Sequence, residues 1–288
     1  MLMLVTFVPT ITINYILDPY GLFGEIDDNY RSEPNLRTLK CWHVKSEREK
    51  YRNFLFSNSR GGVYDINSQT YYNMSYSMGV PSEFKEDIED FINSGVKIDS
   101  VVIMLDEFAI YNNAKNHGSN PLRNKFSKED KIAPLLLPFS WRKIESIQSF
   151  DKDNKHIKFH LSQNGIFEYC NFSTSRTIDT VNVAQVRVNS SARTMNALSE
   201  IKQLTSLLQR NGIKYILGVH PVSKTNYDKN SSRMHQLQNL LDSLDSYDIN
   251  VMNNFVVLNN LDESSCFYDG SHYTPFVARH VLDKLFCR

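Results

Sequence analysis

The chain has 288 residues, long for one domain yet within the range of a single α/β domain that carries an insertion, and long enough to bury a sizeable core. Lysine plus arginine number 32, as do aspartate plus glutamate, so no broad basic field draws nucleic acid to the surface. There is no zinc-finger spacing, Walker loop, G-x-G-x-x-G or internal repeat, and Cys41, Cys170, Cys266 and Cys287 form no C-x-x-C pair. Neither a metal nor a cofactor is expected, and four cysteines in so long a chain define no disulfide framework.

Residues 2–17, LMLVTFVPTITINYIL, carry no charged side chain. A membrane-spanning helix needs roughly 20 apolar residues. This run is shorter, contains Pro9 and Asn14, and has no basic residue before it. Three readings stay open: the tail of a membrane anchor, a shortened signal segment, or a plain hydrophobic strand. Asp18 to Gly24 is a turn-rich linker. Residues 1–24 are thus set apart from a single domain over 25–288. Arg31 to Lys50 is polar, with Trp42 and Val44 interspersed, and is expected on the surface.

Phe54-Leu55-Phe56 is a short apolar run that stops at Ser57-Asn58-Ser59-Arg60, followed by Gly61 and Gly62. That pattern predicts a buried strand delivering serines to an open loop. Thr70 to Met74 predicts a second short strand. Pro81-Ser82 opens a helix with an apolar stripe at Phe84, Ile88, Phe91 and Ile92, with Ser82 as a cap and Gly95 as the stop. Val101 to Leu105 is a continuous apolar run, the mark of a strand covered on both faces. Asp106-Glu107 ends it.

Residues 112–190 break the rhythm and read as an inserted cap or cleft wall. Within them, Gln163-Asn164-Gly165 between two short runs predicts a hairpin. The basic stretch around Lys125 reads as a solvated face. Tyr111, Phe126, Phe139 and Trp141 can stack on sugar rings or simply pack. Regular order then returns. A helix runs through Ala197 to Leu208 and stops at Asn211-Gly212; a strand covers Ile213 to Val219 and ends at His220-Pro221. A helix marked by Leu237 to Leu244 follows, then a strand at Phe255 to Leu258, an Asp269-Gly270-Ser271-His272 loop, and a closing helix through Val277 to Leu285. This alternation predicts a doubly wound, flavodoxin-like α/β fold with a mainly parallel sheet. Ligands bind beyond the carboxyl ends of such strands, where Ser59, Asn73, Asp106, His220 and the Asp269–His272 loop all fall.

A serine hydroxyl needs a base to take its proton, and histidine suits the task near neutrality. A carboxylate then holds the imidazole in one tautomer. Asp269 and His272, three apart, can supply that pair, and Ser59 the hydroxyl. Backbone N–H groups at Ser59 and near Ser75 are candidate donors to an oxyanion. Taken singly these residues have plainer readings: a turn or capping serine, a helix-capping Asp269 and His272, a packed His220, and an Arg60 that holds a salt bridge as readily as a substrate anion.

Leu55-Phe56-Ser57-Asn58-Ser59-Arg60 resembles the nucleophile block of SGNH (GDSL-type) hydrolases. Tyr72-Asn73-Met74-Ser75 is similar to their second block, and Asp269-Gly270-Ser271-His272 to their Asp-x-x-His block. Asn14 to Gly21 is similar to the segment after the anchor in membrane-linked members, some associated with bacterial surface polysaccharides. The resemblance covers most of the chain apart from the insertion. It implies Ser59 as nucleophile, His272 as general base and acid, Asp269 as orienter, and oxyanion or substrate contacts at Asn73, Ser75, Asp106 and Arg60. Three departures stand out: Ser57 and Ser75 replace glycines, and Asp106 takes the place of the third block's asparagine. An ionised carboxylate cannot donate to an oxyanion, so either Asp106 has another task, or Asn112 or Asn113 supplies the donor, or the site is weak. The implied activity is that of a serine esterase or O-acyltransferase acting on acetyl esters of an envelope glycan or a small ester. The implied location is the cell envelope, with membrane association through residues 2–17; a cytoplasmic location is the alternative. The competing functional reading is an inactive glycan-binding or scaffold protein on the same fold.

Overall fold

The structure is a computed structural model that describes residues 2–18, 21–23, 34–66, 68–111, 125–126, 133–136, 159–169, 190–249, 251–252, 266–267 and 272–286. Its centre is a five-stranded sheet of β1 (Asn53–Phe56), β2 (Tyr71–Asn73), β3 (Ser100–Leu105), β6 (Lys214–Val219) and β7 (Val251–Met252). The order is β2-β1-β3-β6-β7, and every neighbouring pair is parallel. Counting only this sheet's strands, the order is 2-1-3-4-5, the flavodoxin-like arrangement of a doubly wound sheet.

Side chains alternate across each strand, so one sequence feeds two cores. Phe54, Phe56, Val101, Ile103 and Leu105 face one layer, packed with α2 (Leu36–Ser46), α3 (Pro81–Asn93), α5 (Ser190–Arg210) and α7 (Ser231–Asp245). Leu55, Val102 and Met104 face the other, against Val277, Val281, Leu282 and Leu285 of the closing helix α8 (Pro275–Phe286). The continuous apolar run of β3 follows from this, because both its faces are covered.

Four expectations change. Residues 2–17 form a helix, α1, not a strand, with Val8, Ile13, Tyr15 and Ile16 exposed and Asn14 Nδ2 donating to Leu135 O at 2.5 Å. No helix among the described residues is long and apolar enough to cross a membrane. The segment expected on the surface contains α2, whose Leu36, Arg37, Thr38, Lys40, Cys41, Trp42 and Val44 are buried. Its charges are matched inside: Arg37 Nε lies 3.1 Å from both oxygens of buried Asp87. Lys125 adds a second cation there, 3.0 Å from Asp87 and 2.9 Å from Asp90, so it is tied down and not merely solvated. Ser82 sits inside α3; the cap position is Val80, with Pro81 at the first helical position, where its missing N–H is harmless. The expected strand at Phe255 to Leu258 lies outside the described residues.

The inserted hairpin forms as the turn signal predicts. β4 (Phe159–Leu161) and β5 (Phe167–Tyr169) pair antiparallel around Gln163-Asn164-Gly165, with Gly165 at φ +78°. It docks on the sheet edge: Asn73 N–H donates to Asn164 O at 2.9 Å, and Tyr51 Oη to Gln163 O at 3.0 Å. A Cβ on Gly165 would lie 2.3 Å from Asn73 O, so the close approach requires glycine as much as the turn does.

Candidate functional site

The site lies at the carboxyl ends of β1, β2, β3 and β6. After Phe56 the chain turns through Ser57 and Asn58 into a 3-10 turn over Ser59–Val63. Asn58 caps it, its Oδ1 accepting from Arg60 N–H at 3.0 Å. Ser59 opens this turn, so its N–H has no partner within it, and its partly exposed side chain faces the loop before α8. There Ser59 Oγ lies 2.9 Å from His272 Nε2, joining residues 213 apart in sequence. Asp269, Asn112 and Asn113 lie outside the described residues.

Asn73 and Ser75 sit just behind the turn, both fully buried. Asn73 Nδ2 donates to Gly61 O at 2.8 Å and Tyr64 O at 3.0 Å, which clamps the turn from below. Its Oδ1 accepts the Ser75 N–H at 2.8 Å. That bond removes the Ser75 N–H from the oxyanion role the resemblance implies. Beneath them is Lys40, fully buried. Its ammonium donates to Asn73 O at 2.9 Å, Ser75 O at 2.5 Å and Gly165 O at 2.6 Å, and lies 4.8 Å from the centre of the Phe167 ring. Burial pulls the Lys40 pKa well below its ordinary value. Three carbonyls make up a full set of acceptors for its three donors. Lys40 was missed in the sequence, although it shares one helical face with Leu36 and Val44.

Arg60 and Asp106 are also framework. Arg60 is 3% exposed and grips Glu107 with two bonds of 2.9 and 2.7 Å. Its Nη1 lies 3.1 Å from Asp106 Oδ2. Asp106 further accepts from Asn58 Nδ2 and, at 2.8 Å, from Phe108 N–H. Neither side chain is free to meet a substrate. Burial raises the Asp106 pKa to about 6, against the pull of Arg60. Burial also pushes Glu107 up, but the paired guanidinium outweighs it and holds that carboxylate below its ordinary value.

Beside the Ser59–His272 pair is a second serine–histidine contact. Ser57 Oγ lies 2.6 Å from His220 Nε2, and His220 Nδ1 lies 2.5 Å from Tyr273 Oη. Both residues of this pair are 0% exposed, so His220 takes the packed reading. Burial, then the nearby Arg60 and His272, depress its pKa well below the ordinary value. His220 follows a buried strand at its carboxyl end, which was the one signal that pointed to it.

No protein-family model matches the chain, and no curated protein matches its sequence. Among solved structures, a candidate acylhydrolase from Bacteroides fragilis is similar at 13% identity with a TM-score of 0.47, covering 89% of this chain and 96% of its own. A GDSL-like lipase from Bacteroides thetaiotaomicron is similar at 11% identity with a TM-score of 0.43, covering 85% and 95%. Neither likeness is close enough to assign an activity to this chain.

Proposed function

We propose that the chain is a serine ester hydrolase of the SGNH type, with Ser59 as nucleophile, His272 as general base and acid, and Asp269 as the carboxylate that orients His272. One observation carries this reading: the 2.9 Å contact between Ser59 Oγ and His272 Nε2 at the carboxyl edge of a parallel sheet. His272 Nε2 takes the Ser59 proton as Oγ attacks the ester carbonyl. The Ser59 N–H donates to the oxyanion that forms. His272 then returns the proton to the departing alkoxide, leaving an acyl-serine. Water, or an acceptor hydroxyl in a transferase, attacks this ester, and the proton passes through His272 back to Ser59.

The substrate we assign is a small acyl ester, acetyl in the first instance, carried on an envelope glycan. The sequence blocks support this class. Residues 2–17, apolar and helical, are assigned to membrane association at the envelope. Fractionating cells that make the full chain and a chain lacking those residues tests that part. The fixed set of donors on Asp106 favours a second reading, a fold that binds glycans with little chemistry, because no side-chain amide occupies that position. A chromogenic acetyl ester and a fluorophosphonate probe separate the two. Hydrolysis and labelling that vanish in Ser59→Ala support the enzyme. Equal background in both proteins overturns it.

A further inference from the structure

The Ser59–His272 contact joins two loops from opposite ends of the chain, and such loops drift unless something fixes their separation. Each partner has a sequence neighbour that turns inward. Ser57, two residues before Ser59, meets His220 Nε2 at 2.6 Å. Tyr273, one residue after His272, meets His220 Nδ1 at 2.5 Å. Tyr273 Oη also donates to Tyr64 Oη at 2.7 Å, and Tyr64 closes the turn that Ser59 opens. The Tyr64 ring lies nearly parallel to the imidazole, at 10° and 5.8 Å between centres. Ser57, Tyr64, His220 and Tyr273 are all at most 1% exposed. The His220 backbone N–H donates to Leu105 O at 2.9 Å, which fixes the ring to the central strands.

Proton counting gives the bridge a direction. Tyr273 has one hydroxyl proton and gives it to Tyr64. His220 Nδ1 must therefore donate to the Tyr273 oxygen, and Nε2 must accept from the Ser57 hydroxyl. Among the described residues, a second ring proton would face the Ser57 oxygen, with Arg60 and His272 nearby to oppose it and the phenols of Tyr64 and Tyr273 on the Nδ1 side.

We propose that His220 is a positioning residue for the Ser59–His272 pair, bridging Ser57 to Tyr273 so that the two loops hold one fixed separation. It rests on the roles proposed above for Ser59 and His272. Misplacing reacting atoms by about 1 Å costs on the order of 100-fold in rate, so a bridge that sets this distance acts on kcat.

The experiment uses the full chain with His220→Gln, Tyr273→Phe and the double variant. His220→Gln keeps an acceptor for Ser57 and loses the donor to Tyr273; Tyr273→Phe keeps the ring and loses one hydroxyl. On a chromogenic acetyl ester, each single variant is expected to lose roughly 10- to 100-fold in kcat with KM within about twofold, and the double variant no more than the worse single. A plain packing role would instead raise KM and lower the melting temperature in step, with losses that multiply in the double. That pattern, or kcat within about threefold of wild type in folded variants, overturns the proposal. If His220→Gln does not fold, Tyr273→Phe alone decides by the same criterion. If wild type lacks Ser59-dependent activity, the proposed function fails. The bridge is then judged by 15N imidazole spectra. His220 should carry its proton on Nδ1 and take up a second one only well below the ordinary imidazole range, and the His272 Nε2 signal should move in Tyr273→Phe. A doubly protonated His220, or an unmoved His272, overturns it.

Discussion

Two serine–histidine pairs stand side by side in this molecule, and they differ in access. Ser57–His220 is closer, at 2.6 Å, yet both residues are sealed from solvent; Ser59–His272 is 2.9 Å apart and partly open. On the proposed roles, a hydrogen bond to imidazole does not by itself make a nucleophile; access to solvent separates the two serines. Burial holds the inner imidazole's pKa well below its ordinary value, and the phenols of Tyr64 and Tyr273 lie on its Nδ1 side. The outer pair is partly open to solvent, as the catalytic role proposed for it requires. On the function proposed above, the inner pair is structural and the outer pair carries the chemistry.

The largest expected effect tests that division directly. Ser59→Ala should lower ester hydrolysis on the order of 1000-fold or more and abolish fluorophosphonate labelling. Ser57→Ala should keep the labelling and lose only about tenfold in kcat, as a displaced neighbour would. Labelling that follows Ser57 instead would reverse the two roles. Next in size is Lys40→Met, which strips the shared donor from three buried carbonyls. A loss of about 2–4 kcal/mol in urea unfolding is expected, larger than for an exposed lysine such as Lys224, whose removal should change stability by under about 0.5 kcal/mol. Equal effects at the two sites would show that the buried ammonium is not a clamp.

Gly61→Ala should act through the inner pair. Its new Cβ would lie 2.5 Å from Ser57 Oγ and 2.6 Å from Ser75 Oγ, so Ser57 must shift away from its present place. Destabilisation of about 1–3 kcal/mol, with a fall in kcat, is expected from thermal melts and steady-state kinetics; a protein as stable as wild type would mean the turn yields freely.

The smallest effect is in pH dependence. Asp106 is raised from 3.8 to about 6 on folding, so its stabilising contribution is complete below the unfolded value and is lost as pH rises to about 6. His220 is depressed below 6.5, so its contribution is present above that value and is lost as pH falls. Below about pH 6 the two oppose each other. His220→Gln should make stability fall more with rising pH in that window, and Asp106→Asn should make it rise more. Each slope should change by up to about 1 kcal/mol per pH unit in urea titrations. Slopes that move in the same direction would contradict the assignment.

Much of this was legible from residue patterns. The Phe54–Phe56 run ending in serines, the Val101–Leu105 run and the Asn164-Gly165 turn are local signals, and local physics decides them. The meeting of Ser59 with His272 was reachable because both lie beyond predicted strand ends. The inner frame was not. Lys40 reads as a surface lysine unless its place between Leu36 and Val44 is given weight, and its acceptors are backbone carbonyls, which leave no mark in a sequence. His220, Tyr64 and Tyr273 share no spacing; only the folded sheet brings them together. Asp106 read as a flawed oxyanion donor because its actual partners, Arg60 and Asn58, lie in another loop.

The inserted hairpin carries a consequence for how the chain matures. Lys40 ties residues 73 and 75 to residue 165, and Phe167 presses on Gly62, where a Cβ would meet its ring at 2.7 Å. The loop bearing Ser59 therefore leans on segments synthesised about a hundred residues later, and its imidazole partners come later still. Such long-range closure is slow to form. A nascent chain halted before residue 220 would hold the groups that cap and clamp the turn, Asn58, Asn73 and Lys40, but neither imidazole, so the activity proposed for Ser59 would wait until most of the polypeptide has left the ribosome.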